Sequence, residues 1–322
     1  TAFISSFRTM FRIYALCGFL VLSLLQSCQG KTVTPAQSKI EQALTIVQEE
    51  KGDIQMPPIP TIYNKADSIK VVDLLKKKVD GQPMLFYAKQ FINVPYVAST
   101  LEVADPEQLV VNLHALDCTT LIETAAALTL TKWQGKTDFA SYCRNLEFIR
   151  YRNGKMNGYL SRLHYFSWWI HDNEAKGILQ EVKETKYSPA RIYVKNNYMS
   201  TYPEKYKFLK GDTFRIDSIR KLEEEIKGFD GYYLPEANTS LGKAQLSNIQ
   251  DGDIIAIVTT KKGIDYSHLG FAVWGRDGKL HLLNASSIHK KVVLEPKTLR
   301  QYLKEHPSSI GIRVFRLIKP AN

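Results

Sequence analysis

The sequence predicts an α+β fold, with an N-terminal helical part and an antiparallel sheet towards the C-terminus, enlarged by insertions. Three observations carry that expectation. Apolar residues recur at helical spacing in the first half, as in Ile69, Val72 and Leu75, or cluster in the run Ala125-Ala126-Ala127-Leu128. The last quarter breaks into short β-rich segments divided by the turn signals Asp251-Gly252 and Gly275-Arg276-Asp277-Gly278. Finally, 322 residues with 44% hydrophobic content can bury one large core, and no internal repeat or low-complexity tract divides it.

The elements follow in order. Arg8 and Arg12 precede an apolar stretch, Ile13 to Leu25, that is too short to span a membrane comfortably, so residues 1–27 read as a signal peptide. Leu25-Gln26-Ser27-Cys28 resembles a bacterial lipobox, which implies acylation of Cys28. Residues 28–60 then form a lipid-anchored tether and linker, containing a spacer helix within 38–50 and the break Met56-Pro57-Pro58-Ile59-Pro60. Residues 61–320 read as one domain. Its spacing predicts helices over 67–79, 83–92, 118–131 and 137–150. An aromatic-rich stretch at 159–172 opens an insertion of about 155–248, with a strand at 191–194 and a charged helix at 216–227. Strands are expected at 253–259, 268–274, 279–285, 291–294 and 311–317.

The segment Leu116-Asp117-Cys118-Thr119-Thr120-Leu121-Ile122-Glu123 sets a lone cysteine where a helix begins. Partial positive charge at a helix N-terminus favours thiolate, so Cys118 is expected to have a depressed pKa and to act as a nucleophile. Far downstream, Tyr266-Ser267-His268-Leu269-Gly270 places a histidine in a strand, where it would serve as the base. Cys17 leaves with the signal and Cys28 takes lipid, so only Cys118 and Cys143 remain in the domain. An exported protein could join those two, but a disulfide would abolish the nucleophile, and Cys143 is therefore read as a small buried apolar residue. His164 and His171, with Trp168 between them, read as the polar edge of an aromatic face, and no Cys or His spacing fits a metal site.

Several of these motifs combine into a resemblance. The Gly252-Asp253 strand entry, the Ser267-His268-Leu269-Gly270 strand, the strand ending Asn284-Ala285-Ser286 and the Pro95-Tyr96 turn resemble the NlpC-type cell-wall cysteine peptidases, a branch of the papain-like fold. Cys118-Thr119-Thr120 in place of the usual Cys-Ser-Gly, the segment Ser161-Arg162-Leu163-His164-Tyr165 and the long insertion are similar to the N-acetylmuramoyl-L-alanine amidase-like branch, of Bacteroidetes lipoprotein type, over roughly residues 60–318. The resemblance implies a papain-like core in which Cys118 attacks, His268 is the base and Asn284 orients it through its amide oxygen. It places Tyr96 beside the site or its oxyanion hole. Trp168, Trp169 and Arg162 would grip sugar and carboxylate, with Asp117 and Ser267 as further substrate-binding residues beside the reactive pair. Asp117 and Glu123 also suit helix capping or substrate positioning.

The implied reaction is hydrolysis of the amide between the lactyl group of N-acetylmuramic acid and L-Ala in muropeptides, including GlcNAc-1,6-anhydro-MurNAc-peptides, with no cofactor. Two other readings stay open: a γ-D-glutamyl-diaminopimelate endopeptidase with the same catalytic residues, and a non-catalytic peptidoglycan-binding lipoprotein. The net charge of +11 falls to +9 beyond Cys28, because the segment before it holds two arginines and no acid, and this suits an anionic partner. Export argues against nucleic acid. The expected partners are peptidoglycan fragments and the membrane reached through the lipid anchor, the expected location is the periplasm, and the oligomeric state is left open.

Overall fold

The computed structural model describes residues 59–226 and 228–320 of the chain. The signal, lipobox and 38–50 helix expectations therefore lie outside the described residues.

Helix formation starts from local caps. Asn64 caps α1 (Lys65–Lys76) by accepting from the Asp67 amide at 2.9 Å, and Pro83 opens α2 (Pro83–Lys89), where its missing N–H costs nothing. Asp117 caps α3 (Cys118–Trp133), and Asp138 caps α4 (Phe139–Arg150). Helix α3 is apolar on most sides because it is enclosed by α1, α2, α4 and two sheet strands. Its buried threonines remain satisfied, Thr129 and Thr131 donating to the carbonyls of Ala125 and Ala127. A two-residue parallel ladder joins β1 (Thr61–Ile62) to β2 (Leu109–Val110).

The second half builds the sheet. Its strands are β3 (Leu179–Val182), β4 (Ala190–Val194), β5 (Phe229–Pro235), β6 (Ile254–Thr259), β7 (Tyr266–Trp274), β8 (Leu280–Ser286), β9 (Lys291–Leu294) and β10 (Ser309–Leu317). They run antiparallel in the order β4-β5-β10-β6-β7-β8-β9, with β3 also paired to β10. Four further helices lie among them: α5 (Phe166–Ala175), α6 (Tyr198–Thr201), α7 (Thr213–Glu225) and α8 (Leu299–Lys304). Strand β6 explains its own unbroken apolar sequence. Ile254, Ala256 and Val258 face the core shared with the N-terminal helices, while Ile255 and Ile257 face a second cluster with Leu299 and Leu303 of α8.

The mixed α+β class with an antiparallel sheet is thus present, and most expected elements fall within a few residues of their predicted bounds. The differences are physical. Helix α1 ends at Lys76 rather than at Val79, and α2 ends three residues before Ile92, where the chain turns to meet β9 through the Asn93 amide and the Val292 carbonyl. Strand β5 and helix α8 lacked a clear periodic signal in so polar a sequence. Among the described residues no helix is long and apolar enough to cross a membrane.

Candidate active site

Cys118 is the first residue of α3, and the cap before it is doubly tied. Asp117 accepts from the Thr120 amide at 2.8 Å, while the Thr120 hydroxyl accepts from the Asp117 amide at 2.9 Å. The Pro95–Tyr96 segment is stitched across this start. The Leu116 amide donates to the Pro95 carbonyl at 3.0 Å, and the Tyr96 amide donates to the Lys290 carbonyl at 2.9 Å. The Tyr96 phenol pKa is raised by burial and then by the neighbouring Cys118 and Asp117.

Strand β7 brings the histidine to the same place through a β-bulge. Its register slips between Ile257, opposite His268, and Val258, opposite Tyr266, leaving Ser267 as the extra residue. A bulge re-aims the side chains beside it, so Ser267 and His268 both reach the cleft. Two glycines permit the approach. At Gly270 an added Cβ would sit 2.6 Å from the Leu282 side chain and 2.7 Å from the Leu283 carbonyl. Gly252, with φ +86°, turns the chain into β6, where an added Cβ would sit 3.1 Å from the Leu85 amide nitrogen.

Behind His268 runs a buried relay. His268 Nε2 lies 2.9 Å from Asn284 Oδ1, and Asn284 Nδ2 donates to Glu295 Oε1 at 2.9 Å. Glu295 Oε2 meets His289 Nε2 at 3.1 Å. A carboxylate only accepts, so Glu295 fixes the orientation of the Asn284 amide, and Asn284 Oδ1 in turn fixes the proton on His268 Nε2. The remaining nitrogen, Nδ1, is left as a free base. The His268 ring also stacks on Tyr302, with centroids 6.3 Å apart.

The electrostatics overturn one expectation. Burial pushes the Cys118 thiol up to about 12, and the Asp117 carboxylate adds to the rise, against smaller help to the thiolate from Thr119 and the Leu269 backbone. The cysteine is nonetheless partly open to the cleft. Burial likewise holds His268 below the ordinary histidine value, only partly opposed by Asn284, Glu295 and Asp117. Burial thus disfavours the thiolate and the imidazolium alike, because both charged forms are poorly solvated there.

Cys118, Thr119, His164, Tyr165, Ser267 and His268 are among the residues lining a cleft of about 240 Å³. Asp265 holds one wall, its carboxylate accepting from the Ser167 amide of α5 at 2.6 Å and from the Tyr266 amide at 2.8 Å. A larger cleft of about 550 Å³ lies between β3 and β5, but its walls carry no cysteine or histidine. The chemistry therefore points to the smaller one.

The other expected residues separate by burial. Trp168 and Trp169 are 1% and 0% exposed in the core, and Trp168 spends its N–H on the Ile226 carbonyl, so neither presents a face to a sugar in the cleft. Arg162 reaches a cavity wall but is already engaged by Glu102 and Glu107, both at 3.0 Å. Asp117 caps the helix, and Glu123 is bound to Arg150 at 2.7 Å. His164 lines the cleft, whereas His171 is exposed on α5. Cys143 is buried on α4 as a free thiol. No cluster of three or more possible metal ligands occurs among the described residues. Glu295, Tyr302 and Asp265 were missed from the sequence. An acid closing the apolar strand Val292-Val293-Leu294-Glu295 was the available signal for the first.

Comparison with known proteins gives this constellation a context. Residues 87–312 match the family model described as AmiA-like, N-acetylmuramoyl-L-alanine amidase-like. A crystal structure of an N-acetylmuramoyl-L-alanine amidase from Bacteroides uniformis is 42% identical, with a TM-score of 0.69, over 74% of this chain and 100% of that one. A Bacteroides fragilis structure provisionally named a xylanase is also 42% identical, with a TM-score of 0.67, over 72% of this chain and 100% of the other. A Legionella pneumophila protein shares the fold at 23% identity and a TM-score of 0.57, over 86% of this chain and 98% of its own. No curated protein matches the chain.

Proposed function

Because the chain belongs to the AmiA-like, N-acetylmuramoyl-L-alanine amidase-like family, we propose that it cuts the amide between the lactyl group of N-acetylmuramic acid and L-Ala in muropeptides. On this reading Cys118, His268 and Asn284 work as a thiol triad on a papain-like, NlpC-type core. The observation that carries it is the relay itself: a histidine with its tautomer fixed by Asn284 Oδ1 at 2.9 Å, lining one cleft with a helix-start cysteine.

The residues divide the work. His268 Nδ1 takes the thiol proton as sulfur attacks the lactyl carbonyl, so charge on sulfur need not precede bond formation. The Cys118 backbone N–H, one of the first-turn amides without an intrahelical acceptor, and the Tyr96 hydroxyl stabilise the oxyanion. Imidazolium then protonates the L-Ala nitrogen, the amine leaves, and water, deprotonated by His268, releases the lactyl acid from sulfur. Glycoside hydrolysis of the kind a xylanase performs calls for two opposed carboxylates. The acids nearest this thiol are committed elsewhere, Asp117 to capping and Glu123 to Arg150.

Export and attachment through Cys28 complete the proposal, with the membrane-anchored chain acting on peptidoglycan fragments in the periplasm. Mass analysis of one defined muropeptide tests the activity. Release of a stem peptide with L-Ala at its amino terminus supports the amidase, a new diaminopimelate amino terminus moves the chain to the endopeptidase reading, and no cleavage leaves a binding protein. Cys28→Ser should shift the protein from membrane to soluble fractions.

A further inference from the structure

We propose that the cavity next to the nucleophile, lined by Lys205, Lys207 and His164, is a carboxylate subsite for the stem peptide. This rests on the amidase reading and adds to it the part of the substrate that the cavity selects. The cavity holds about 480 Å³ and shares Thr119, His164, Met199 and Tyr206 with the Cys118 cleft, so the two are continuous.

Its charges sort themselves by pairing. Glu123 is bound to Arg150, and Glu102 is bound to Arg162, which also holds Glu107. Lys205 and Lys207 remain. Lys205 Nζ donates to the Tyr198 hydroxyl at 2.6 Å and lies 4.8 and 4.3 Å from the ring centroids of Tyr198 and Tyr202. Lys207 Nζ donates to the Glu102 carbonyl at 3.0 Å. Neutral acceptors and aromatic faces thus hold both ammonium groups in place without neutralising them, and each keeps N–H donors to spare. Neither has a carboxylate at ion-pair distance among the described residues.

His164 adds a different group. Its Nε2 lies 2.8 Å from the Tyr159 carbonyl, which can only accept, so Nε2 carries the proton and Nδ1 is a bare acceptor. Burial, with Arg162 adding to it, holds this imidazole at about 3, so it stays neutral at working pH. Two cations exposed at the rim, each resting on neutral partners, and one acceptor for an N–H describe an acidic peptide. A nonionic sugar would gain little from two ammonium groups at the rim. In the stem, D-Glu is joined through its γ-carboxyl and leaves its α-carboxylate free two residues from the scissile amide.

The test uses two muropeptides that differ only in whether that α-carboxylate is free or amidated. The full chain should prefer the free acid in kcat/KM by about 2- to 10-fold, the range expected for a carboxylate paired with exposed lysines, and mainly through KM. Lys205→Met with Lys207→Met should erase the preference. Indifference of the native chain to amidation, or a preference that survives the double substitution, overturns the subsite. Calorimetric binding of the free and amidated stem peptides to Cys118→Ala separates this from the amidase reading. Discrimination there supports the subsite even if no muropeptide is cut, and equal binding removes it whatever the activity.

Discussion

Replacing Asn284 with Asp alters one terminal group and should turn a buried amide–carboxylate contact into two carboxylates that share a proton. Asn284 is 0% exposed and Glu295 is 3% exposed, and the amide nitrogen of one donates to the carboxylate of the other at 2.9 Å. In Asn284→Asp the acceptor for His268 survives, but the second oxygen now faces a carboxylate across that distance. Two buried carboxylates so close cannot both ionise, and the variant pair keeps one proton. The unfolded chain releases that proton near about pH 4, while the folded pair holds it to higher pH. Stability is therefore fully present below about pH 4 and declines as pH rises towards the folded value, by about 1.4 kcal/mol per pH unit. Between pH 4.5 and 6.5 the variant should lose roughly 2–3 kcal/mol relative to the native chain, a large share of typical stability. Denaturant midpoints across pH measure this directly. Adding Glu295→Gln should remove the slope, because the glutamine amide can donate to Asp. A pH-independent difference in the single variant, or a slope that persists in the double one, would refute the relay.

Other outcomes follow from the same geometry. Cys118→Ala should abolish turnover while changing stability by less than about 1 kcal/mol, since alanine suits a helix start; His268→Ala should be nearly as damaging, and Asn284→Ala should leave measurable activity because Asn284 exchanges no proton. Because burial lowers the His268 pKa, its free-base form persists below its ordinary value of 6.5, so kcat/KM should stay flat from alkaline pH to below that point; a half-fall at or above 6.5 contradicts it. The thiol held up to about 12 predicts slow iodoacetamide alkylation at pH 7 that climbs about tenfold per pH unit through pH 9, whereas a plateau near neutrality would reveal a resting thiolate. Arg150→Met strands Glu123 without its partner, so it should cost about 3–5 kcal/mol in a denaturant titration, and a cost below about 1 kcal/mol would show the pair to be dispensable.

What the sequence revealed and what it hid divide along one line. Cys118 and His268 were legible because each sits at a local punctuation mark, a helix start and a strand after a turn, that short-range pattern reading detects. Asn284 became legible only through its place in a third strand, and its orienting contact at 2.9 Å required the register of β7 against β8. Glu295 was invisible because its meaning comes from a contact across the β8–β9 hairpin. Trp168, Trp169 and Arg162 pose the reverse case. Their side-chain types suit sugar and carboxylate, but burial and prior partners decide availability, and a one-dimensional pattern carries neither. Lys205 and Lys207 sit in the loosely patterned insertion, where only the fold brings them beside Thr119.

The raised thiol pKa shows why a cysteine at a helix start is an incomplete argument for a thiolate. The favourable field comes from exposed first-turn N–H groups, yet here the Thr120 amide is already spent on Asp117. That same aspartate brings a negative charge beside the sulfur and ranks second only to burial among the groups that raise the Cys118 pKa. The cap that defines where α3 begins therefore works against ionising its first residue. Asp117→Asn separates the two roles, because an asparagine side chain still caps a helix but carries no charge. The variant should keep its stability within about 1 kcal/mol, and its Cys118 alkylation rate at fixed pH should rise. If the rate is unchanged, burial alone sets the thiol and the carboxylate contributes nothing. If it rises, the cap's carboxylate helps to hold the Cys118 thiol protonated at rest, the state from which the proposed transfer to His268 Nδ1 would start.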